Sequence, residues 1–175
     1  MKKRNAWLLA LMAIGLTMVL ISCGVERTTP LDYVEKVNGI DLSGENIKLS
    51  AWGLTEQQVK EERGEPQRRS AVKDGTIILD YADYQYSLPS GHVQGYTLLP
   101  KQSTAGGIKI GDAKSSVIEK YGKDFYTREQ NNYKILGYLD KENELALEFV
   151  LDSDRVTVIL VSKFALFQQP GPDEG

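Results

Sequence analysis

The chain repeats one sequence pattern at a distance of about 58 residues, and this repeat limits the folds open to it. The segment SAWGLTEQQVKEERGEP, residues 50–66, aligns with IKIGDAKSSVIEKYGKD, residues 108–124. Further matches follow in the same order along both copies: TIILDY (76–81) with YKILGY (133–138), and SLPSGHV (87–93) with VLDSDRV (150–156). The changes of offset between these matches fall where hairpin loops are expected. The pattern predicts two copies of one supersecondary unit.

Each copy predicts one short helix. Thr55 and Gln58 form the capping-box pattern at the start of the first helix, and Asp112 is expected to cap the second. The helices are expected to end at Gly64 and Gly122, because glycine accepts the left-handed conformation common after a last helical turn.

Strands are predicted after each helix. In LALEFVL, residues 145–151, apolar side chains alternate with period two, and VTVILVS, residues 156–162, is apolar enough for a central strand. In the first copy Tyr84, Tyr86 and Leu88 share one face. We therefore predict an α+β fold of two repeats, each a short helical segment packed on an antiparallel β-sheet. With helices on one face only, the opposite face is expected to be open to solvent or to a partner.

The amino terminus has the pattern of a secretion signal. Three basic residues at positions 2–4 precede an apolar run from Ala6 to about Ile21, which is short for a membrane span. The sequence Leu20-Ile21-Ser22-Cys23 then resembles the bacterial lipobox, whose cysteine receives a diacylglyceryl group before the leader is removed. The alternative is a signal anchor that happens to contain a cysteine. Cys23 is the single cysteine of the chain, so an intramolecular disulfide is excluded.

These features divide the chain into five parts. We predict a cleaved lipoprotein signal peptide at 1–22, a lipidated tether at 23–46, a degenerate first repeat at 47–105, a second repeat at 106–167 and a disordered tail at 168–175. The tether contains TPLDYVEKVNG, which predicts a short helix with Thr29 as N-cap and Gly39 at its end. Leu31, Val34 and Val37 would form the apolar side of this helix.

The charge of the chain argues against a nucleic-acid partner. Removal of the leader leaves about 18 Lys and Arg against 24 Asp and Glu, a net charge of about −6. Nucleic-acid binding needs a basic patch that releases phosphate counterions, and the sequence has none. The partners we expect are instead the membrane, through lipid on Cys23, and a protein of the cell envelope.

No motif for catalysis or for a cofactor is found. The single histidine, His92, lies in a predicted loop without a nucleophile or an orienting carboxylate nearby in sequence. Ser70 and Lys73 match S-x-x-K, but the companion motifs of serine acyl-enzymes are missing. Asp152 and Asp154 are typical of a hairpin turn, since an EF-hand needs further ligands at fixed spacing. We therefore expect no enzyme activity, no cofactor and no metal site.

Tyrosines give the one candidate binding surface. Tyr84, Tyr86 and Tyr96 concentrate in the predicted sheet of the first repeat. Tyrosine is rigid and amphipathic, so an exposed cluster is a good contact surface for a protein or a glycan. The alternative is that these rings cover the sheet and pack under the helices.

The segment IKIGDAKSSVIEKYGKDFY, with the strands that follow it to Lys163, resembles the small extracytoplasmic module of the BamE/OmlA lipoproteins, and also Gram-positive lipoproteins that carry such a module. A tandem pair is similar to the β-lactamase inhibitor protein (BLIP), although each BLIP unit has a disulfide. The resemblance implies a non-catalytic module that binds other proteins. We therefore expect a lipid-anchored, extracytoplasmic protein-interaction module of scaffold or inhibitor type, or alternatively an envelope lipoprotein that binds a small molecule or a glycan.

Overall fold

The computed structural model describes residues 28–48, 51–72 and 75–168. The predicted signal peptide, Cys23 and the tail from residue 169 lie outside these ranges. The helices are α1 (Ser43–Lys48), α2 (Glu56–Arg63) and α3 (Lys114–Tyr121), and short 3₁₀ helices lie at Pro30–Tyr33, Pro89–Gly91 and Phe164–Phe167. The strands are β1 (Arg68–Ala71), β2 (Ile77–Asp80), β3 (Tyr84–Leu88), β4 (Gly95–Leu98), β5 (Tyr126–Gln130), β6 (Tyr133–Asp140), β7 (Leu145–Asp152) and β8 (Arg155–Lys163).

The eight strands form one antiparallel sheet in the order β1-β2-β3-β4-β8-β7-β6-β5. Each half is a four-stranded meander, and the last strand of each meander lies at the centre of the sheet. There β4 pairs with β8 through Gly95↔Ser162, Tyr96↔Val161 and Thr97↔Leu160. The predicted α+β class with antiparallel pairing is confirmed, and the two predicted sheets are continuous with one another.

Residues about 58 positions apart make corresponding contacts under the two helices. Val59 of α2 and Val117 of α3 are both fully buried. The hydroxyl of Tyr81 donates to the Gly64 carbonyl at 2.8 Å, and that of Tyr138 donates to the Gly122 carbonyl at 2.9 Å. Each of these bonds satisfies a backbone oxygen at the carboxyl end of a helix, where no further helical N–H is available.

The turns before the two helices also correspond. Gly53 and Gly111 have φ angles of 74° and 97°. Their N–H groups donate to Val93 at 2.9 Å and to Val156 at 2.7 Å. A positive φ favours glycine, because a β-carbon would be strained there.

The helix starts differ, and one prediction about them is wrong. The capping box of α2 is confirmed, since the Gln58 N–H donates to the Thr55 hydroxyl and the Thr55 N–H to the Gln58 side chain, at 3.3 and 2.9 Å. Asp112 does not cap α3, because that helix has Ala113 as its N-cap. The Asp112 carboxylate instead accepts the Lys109 N–H at 2.8 Å in the preceding turn.

The main core lies between one face of the sheet and α2, α3, Leu42 and Ala51, and it contains the tyrosines expected to be exposed. Tyr84, Tyr86 and Tyr96 expose only 8%, 3% and 1% of their surface. The prediction that they form a partner-binding face is therefore wrong, and the alternative, that they pack under the helices, is correct. The strands place their rings on the face that the helices cover, where burial of a large apolar surface stabilises the fold.

The opposite face of the sheet is covered along β5–β7, which corrects the expectation of a fully open face. Two 3₁₀ helices, Pro30–Tyr33 and Phe164–Phe167, lie on it. Together with the sheet they form a second apolar cluster of Val37, Tyr126, Leu139, Ala146 and Phe164, against which Leu31, Tyr33 and Val34 pack. The predicted amino-terminal helix is present with Thr29 as N-cap, but it ends at Tyr33, well before Gly39.

Candidate functional site

Two of the residues considered for chemistry, His92 and Ser70, lie on different elements. His92 is exposed, and its Nδ1 lies 3.1 Å from the Ser90 carbonyl. Ser70 lies in the edge strand β1, and Lys73 falls outside the described residues. Within the described ranges no three His, Cys, Asp or Glu side chains form a group that could hold a metal ion. Nor does any helix there have the length and apolar character needed to cross a membrane.

The tyrosines of the first half contact the Arg63 side chain of α2. The Arg63 guanidinium lies over the rings of Tyr81 and Tyr86, with its carbon 4.8 and 5.4 Å from their centroids. It also donates to the Tyr86 hydroxyl and makes two bonds, of 2.8 and 2.7 Å, to the Asp83 carboxylate. These cation–π contacts and the ion pair with Asp83 stabilise the packing of α2 on the sheet.

A cleft of about 310 Å³ lies where the amino-terminal segment, the connection between the two halves and α3 meet. This volume is at the small end of the range for ligand-binding pockets, about 300–1,000 Å³. The lining residues are Ile40, Asp41, Leu42, Gly44, Glu45, Ala105, Gly106, Lys120 and Tyr121. They include both acidic and basic groups beside apolar surface.

Glu45 is the most buried charged residue of the cleft, with 2% of its surface exposed. The Ala105 N–H donates to both of its carboxylate oxygens, at 2.8 and 2.9 Å. The Tyr121 hydroxyl donates to Oε1 at 2.8 Å. Among the side chains that the structure describes, no Lys, Arg or His lies within ion-pair distance of this carboxylate. A carboxylate has about four acceptor positions, so it retains capacity for another donor.

Tyr121 connects the cleft to the core of the second half. Its hydroxyl accepts the Gly106 N–H at 3.2 Å, and its ring lies 5.3 Å from that of Tyr138. Burial, and then the charge of Glu45, raise the pKa of Tyr121 well above its ordinary value. The hydroxyl therefore stays protonated at neutral pH and remains a hydrogen-bond donor.

Backbone contacts with the second half hold the segment that carries Glu45. The Ile40 N–H donates to the Leu139 carbonyl at 2.7 Å, and the Leu42 N–H donates to Asp140 Oδ2 at 2.7 Å. Asp140 is itself 3% exposed and also accepts the Asn143 N–H at 2.9 Å. The cleft is thus built on the end of β6, and its geometry is fixed by the sheet.

The rim of the cleft is accessible. Asp41 and Lys120 are exposed, and they lie on the amino-terminal segment and on α3 respectively. A hydrogen bond from the Ser43 side chain, followed by one from its backbone N–H, lowers the pKa of Asp41, so this rim carboxylate is charged at neutral pH. The lining residues supply hydrogen-bond acceptors, one buried negative charge and a mixed rim, but no serine, cysteine or histidine nucleophile. This arrangement is suited to binding.

Few features of the sequence indicate this site. Glu45 lies in SGENIK, which has the composition of a polar connection, and we assigned it to the tether. One signal was present at Gly106, where a β-carbon would lie 2.6 Å from the Tyr121 hydroxyl. The need for glycine at this position follows from its contact with Tyr121. That contact is not evident from the sequence, because Tyr121 is 15 residues further along the chain.

No protein-family model and no curated protein matches the chain. Three solved structures resemble this chain at low identity and with TM-scores below 0.5. A cysteine-rich secretory protein from Staphylococcus aureus has 12% identity and a TM-score of 0.46, with 67% of this chain and 46% of that chain covered. An extracellular protein containing a SCP domain from Bacillus anthracis has 11% identity and a TM-score of 0.48, with 87% and 56% covered.

The third is a DUF4309 family protein from Bacillus subtilis, with 13% identity, a TM-score of 0.45 and coverage of 62% of this chain and 78% of that chain. The chain spans about half the length of the first two proteins, 46% and 56%. At these TM-scores the likeness carries no argument about function.

Proposed function

We propose that this chain is a lipid-anchored, extracytoplasmic and non-catalytic binding module that holds a partner protein at the cell envelope through the Glu45 cleft. The observation that carries the binding role is the cleft itself. It combines a buried carboxylate that retains acceptor capacity with a charged, accessible rim at Asp41 and Lys120. Binding sites typically combine apolar walls with a few placed polar groups in this way.

The anchoring part of the proposal rests on the leader. Basic residues, an apolar run and the lipobox-like Leu20-Ile21-Ser22-Cys23 follow one another in the order that lipoprotein export requires. Two or three acyl chains on Cys23 would hold the protein stably, since each buried methylene contributes about 0.8 kcal/mol. Mass spectrometry of the mature amino terminus tests this part: an uncut leader, or an unmodified Cys23, would contradict it.

We further propose that residues 47–105 and 106–167 are two copies of one module, as in the BamE/OmlA-like and BLIP-like resemblance. The corresponding bonds of Tyr81 and Tyr138 and the matched turns at Gly53 and Gly111 support this. The copies differ where the cleft lies, because the position of Arg63 in the first is occupied by Tyr121 in the second. We infer that binding is a property of the second copy.

A second candidate function is the binding of a small envelope molecule or a glycan. The volume of the cleft favours it, since about 310 Å³ accommodates a compact ligand or one protein side chain. Both candidates use the same residues, so one experiment can separate them.

That experiment is photo-crosslinking in the native envelope, with the probe at Asp41 or at Lys120 and a matched probe at Glu62, an exposed residue of α2. One protein adduct found from both rim positions and missing from Glu62 would support the interaction module and identify its partner. A glycan or small-molecule adduct with the same pattern would support the second candidate. Identical products, or none, from all three positions would contradict a binding role for the cleft.

A further inference from the structure

The amino-terminal segment of residues 28–37, called the strap here, is fastened to the second half of the sheet. Arg128 donates from Nη1 to the Thr28 carbonyl at 3.3 Å. The ring of Tyr33 stacks on that of Tyr126, with 4.6 Å between centroids and 16° between planes. Val37 ends the strap within the second apolar cluster. The strap therefore contacts β5–β7 along its whole length.

The point that holds Thr28 is rigid. Arg128 Nε and Nη2 donate to the two carboxylate oxygens of Glu148 at 2.7 and 2.8 Å, and these two side chains are only 5% and 4% exposed. Tyr126 also donates to Glu148 at 2.7 Å. A buried ion pair with two parallel hydrogen bonds has a fixed geometry, so Thr28 is held by the interior of the sheet.

The strap runs from one end of the second half to the other. Thr28 lies by Arg128, which pairs with Ile135 near the start of β6. Ile40, just after the strap, donates to Leu139 near the end of the same strand. The start of β6 lies beside the β5–β6 and β7–β8 turns, and the end of β6 lies beside the β6–β7 turn and the Glu45 cleft. We call these the strap-start end and the cleft end.

We propose that the strap orients the second half of the domain on the bilayer. The strap-start end faces the lipid headgroups, and the cleft end points away from them. The inference rests on the proposed lipidation of Cys23. Thr28 is five positions after Cys23, with four residues between them. At about 3.3–3.6 Å per residue these five steps span at most about 18 Å, which is less than the length of β6. A domain held by so short a link, at a rigid point at one of its ends, presents that end to the membrane.

Charge does not provide this contact. The exposed charged residues around the strap-start end include Asp32, Glu129, Lys134, Asp152, Asp154 and Arg155, which are mixed in sign. Binding to anionic lipid requires a cluster of Lys and Arg. The orientation is therefore expected to depend on the length of the link, and to be insensitive to anionic lipid and to salt.

The test uses the lipidated full chain in phosphatidylcholine vesicles, with and without phosphatidylglycerol. Because lipid occupies the single native cysteine, one engineered cysteine is the only free thiol and takes one fluorophore. Lys134→Cys and Asp152→Cys report on the strap-start end, and Glu142→Cys on the cleft end; all three residues are exposed. Headgroup-labelled lipid is the quencher. We expect quenching at Lys134→Cys and Asp152→Cys at least about twofold greater than at Glu142→Cys, in both lipid mixtures.

The matched control inserts 20 Gly and Ser residues between Val25 and Glu26. Such a linker spans roughly 5–6 Å times the square root of its length, so quenching at the strap-start end should fall to the level at Glu142→Cys. Equal quenching at all three positions with Cys23 lipidated, or unchanged quenching after the insertion, would overturn the orientation alone. An unmodified Cys23 in mass spectrometry would overturn the anchor, and the orientation with it.

Discussion

Glu45 places a carboxylate inside the protein, where it accepts hydrogen bonds from two neutral donors. If Glu45 is replaced by alanine, the Ala105 N–H and the Tyr121 hydroxyl lose their acceptor. An unsatisfied buried donor costs about 1–3 kcal/mol, so Glu45→Ala should lower the free energy of unfolding by at least that amount. Glu45→Gln keeps one acceptor oxygen and should lower the free energy of unfolding by less.

Asp41→Asn, on the exposed rim, is the control and should change stability by under about 0.5 kcal/mol. Urea denaturation measures all three, and equal costs for the two Glu45 variants would contradict this account.

Buried tyrosines should make the fold sensitive to alkali. Burial raises the pKa of Tyr84, Tyr86 and Tyr96, and that of Tyr138 to about 12, against about 10 in an unfolded chain. Above pH 10 the unfolded chain therefore releases protons that the folded chain retains. The stability present below pH 10 is then lost as pH rises through the folded values, by up to about 1.4 kcal/mol per pH unit for each retained proton.

The measurement is the urea midpoint at about pH 8 and about pH 11, with phenolate absorbance recorded in parallel. We expect the urea midpoint to be lower at about pH 11. We also expect phenolate to form at higher pH in the folded protein than in the urea-unfolded chain. The variant Tyr138→Phe removes one of these groups and should show a shallower dependence on pH. A midpoint that does not change over this range would contradict the prediction.

Among the elements, the two packed helices differ in one feature that can be exchanged. Thr55 and Ala113 both have extended N-cap backbones, with φ and ψ of −73° and 163° and of −76° and 149°, but only Thr55 offers a side-chain cap. Because an N-cap hydroxyl contributes about 0.5–2 kcal/mol, Ala113→Thr should raise the free energy of unfolding by up to that amount. Thr55→Ala is the matched change in the opposite direction. Thermal denaturation of both variants measures the effect. If Ala113→Thr destabilises the protein, similar φ and ψ angles at the two N-caps are not sufficient for a threonine cap, and the prediction is wrong.

Sequence reasoning was most successful for elements defined by local patterns. The capping box at Thr55, the glycines that end both helices and the common face of alternate residues in 145–151 depend on neighbours within a few residues, and the structure contains all three. The predicted exposure of Tyr84 and Tyr86 was wrong because alternation assigns residues to a common face without saying which face the helices cover. The Glu45 cleft could not be predicted, because its parts lie 60 and 76 residues apart in the chain.

At the scale of the whole molecule, the two halves share one sheet and one core, so we expect them to unfold together. Trp52 lies at their junction: its ring is 5.0 Å from that of Tyr96 in β4, and the Lys163 ammonium of β8 lies 5.5 Å from it. The other tryptophan, Trp7, belongs to the predicted leader. In the mature chain with Cys23→Ser, Trp52 fluorescence therefore reports on the junction, while far-ultraviolet circular dichroism reports on the whole sheet.

The test introduces a cavity in the second half, in β7, which lies two strands from β4 in the sheet. Phe149 in β7 is fully buried, and Phe149→Ala should cost about 3–5 kcal/mol. If the sheet is one cooperative unit, the fluorescence and circular dichroism transitions should coincide in both chains and shift together in the variant. A circular dichroism transition that moves to lower urea while the Trp52 transition stays in place would mean that the second half unfolds alone. The three residue pairs between β4 and β8 would then be insufficient to couple the two halves.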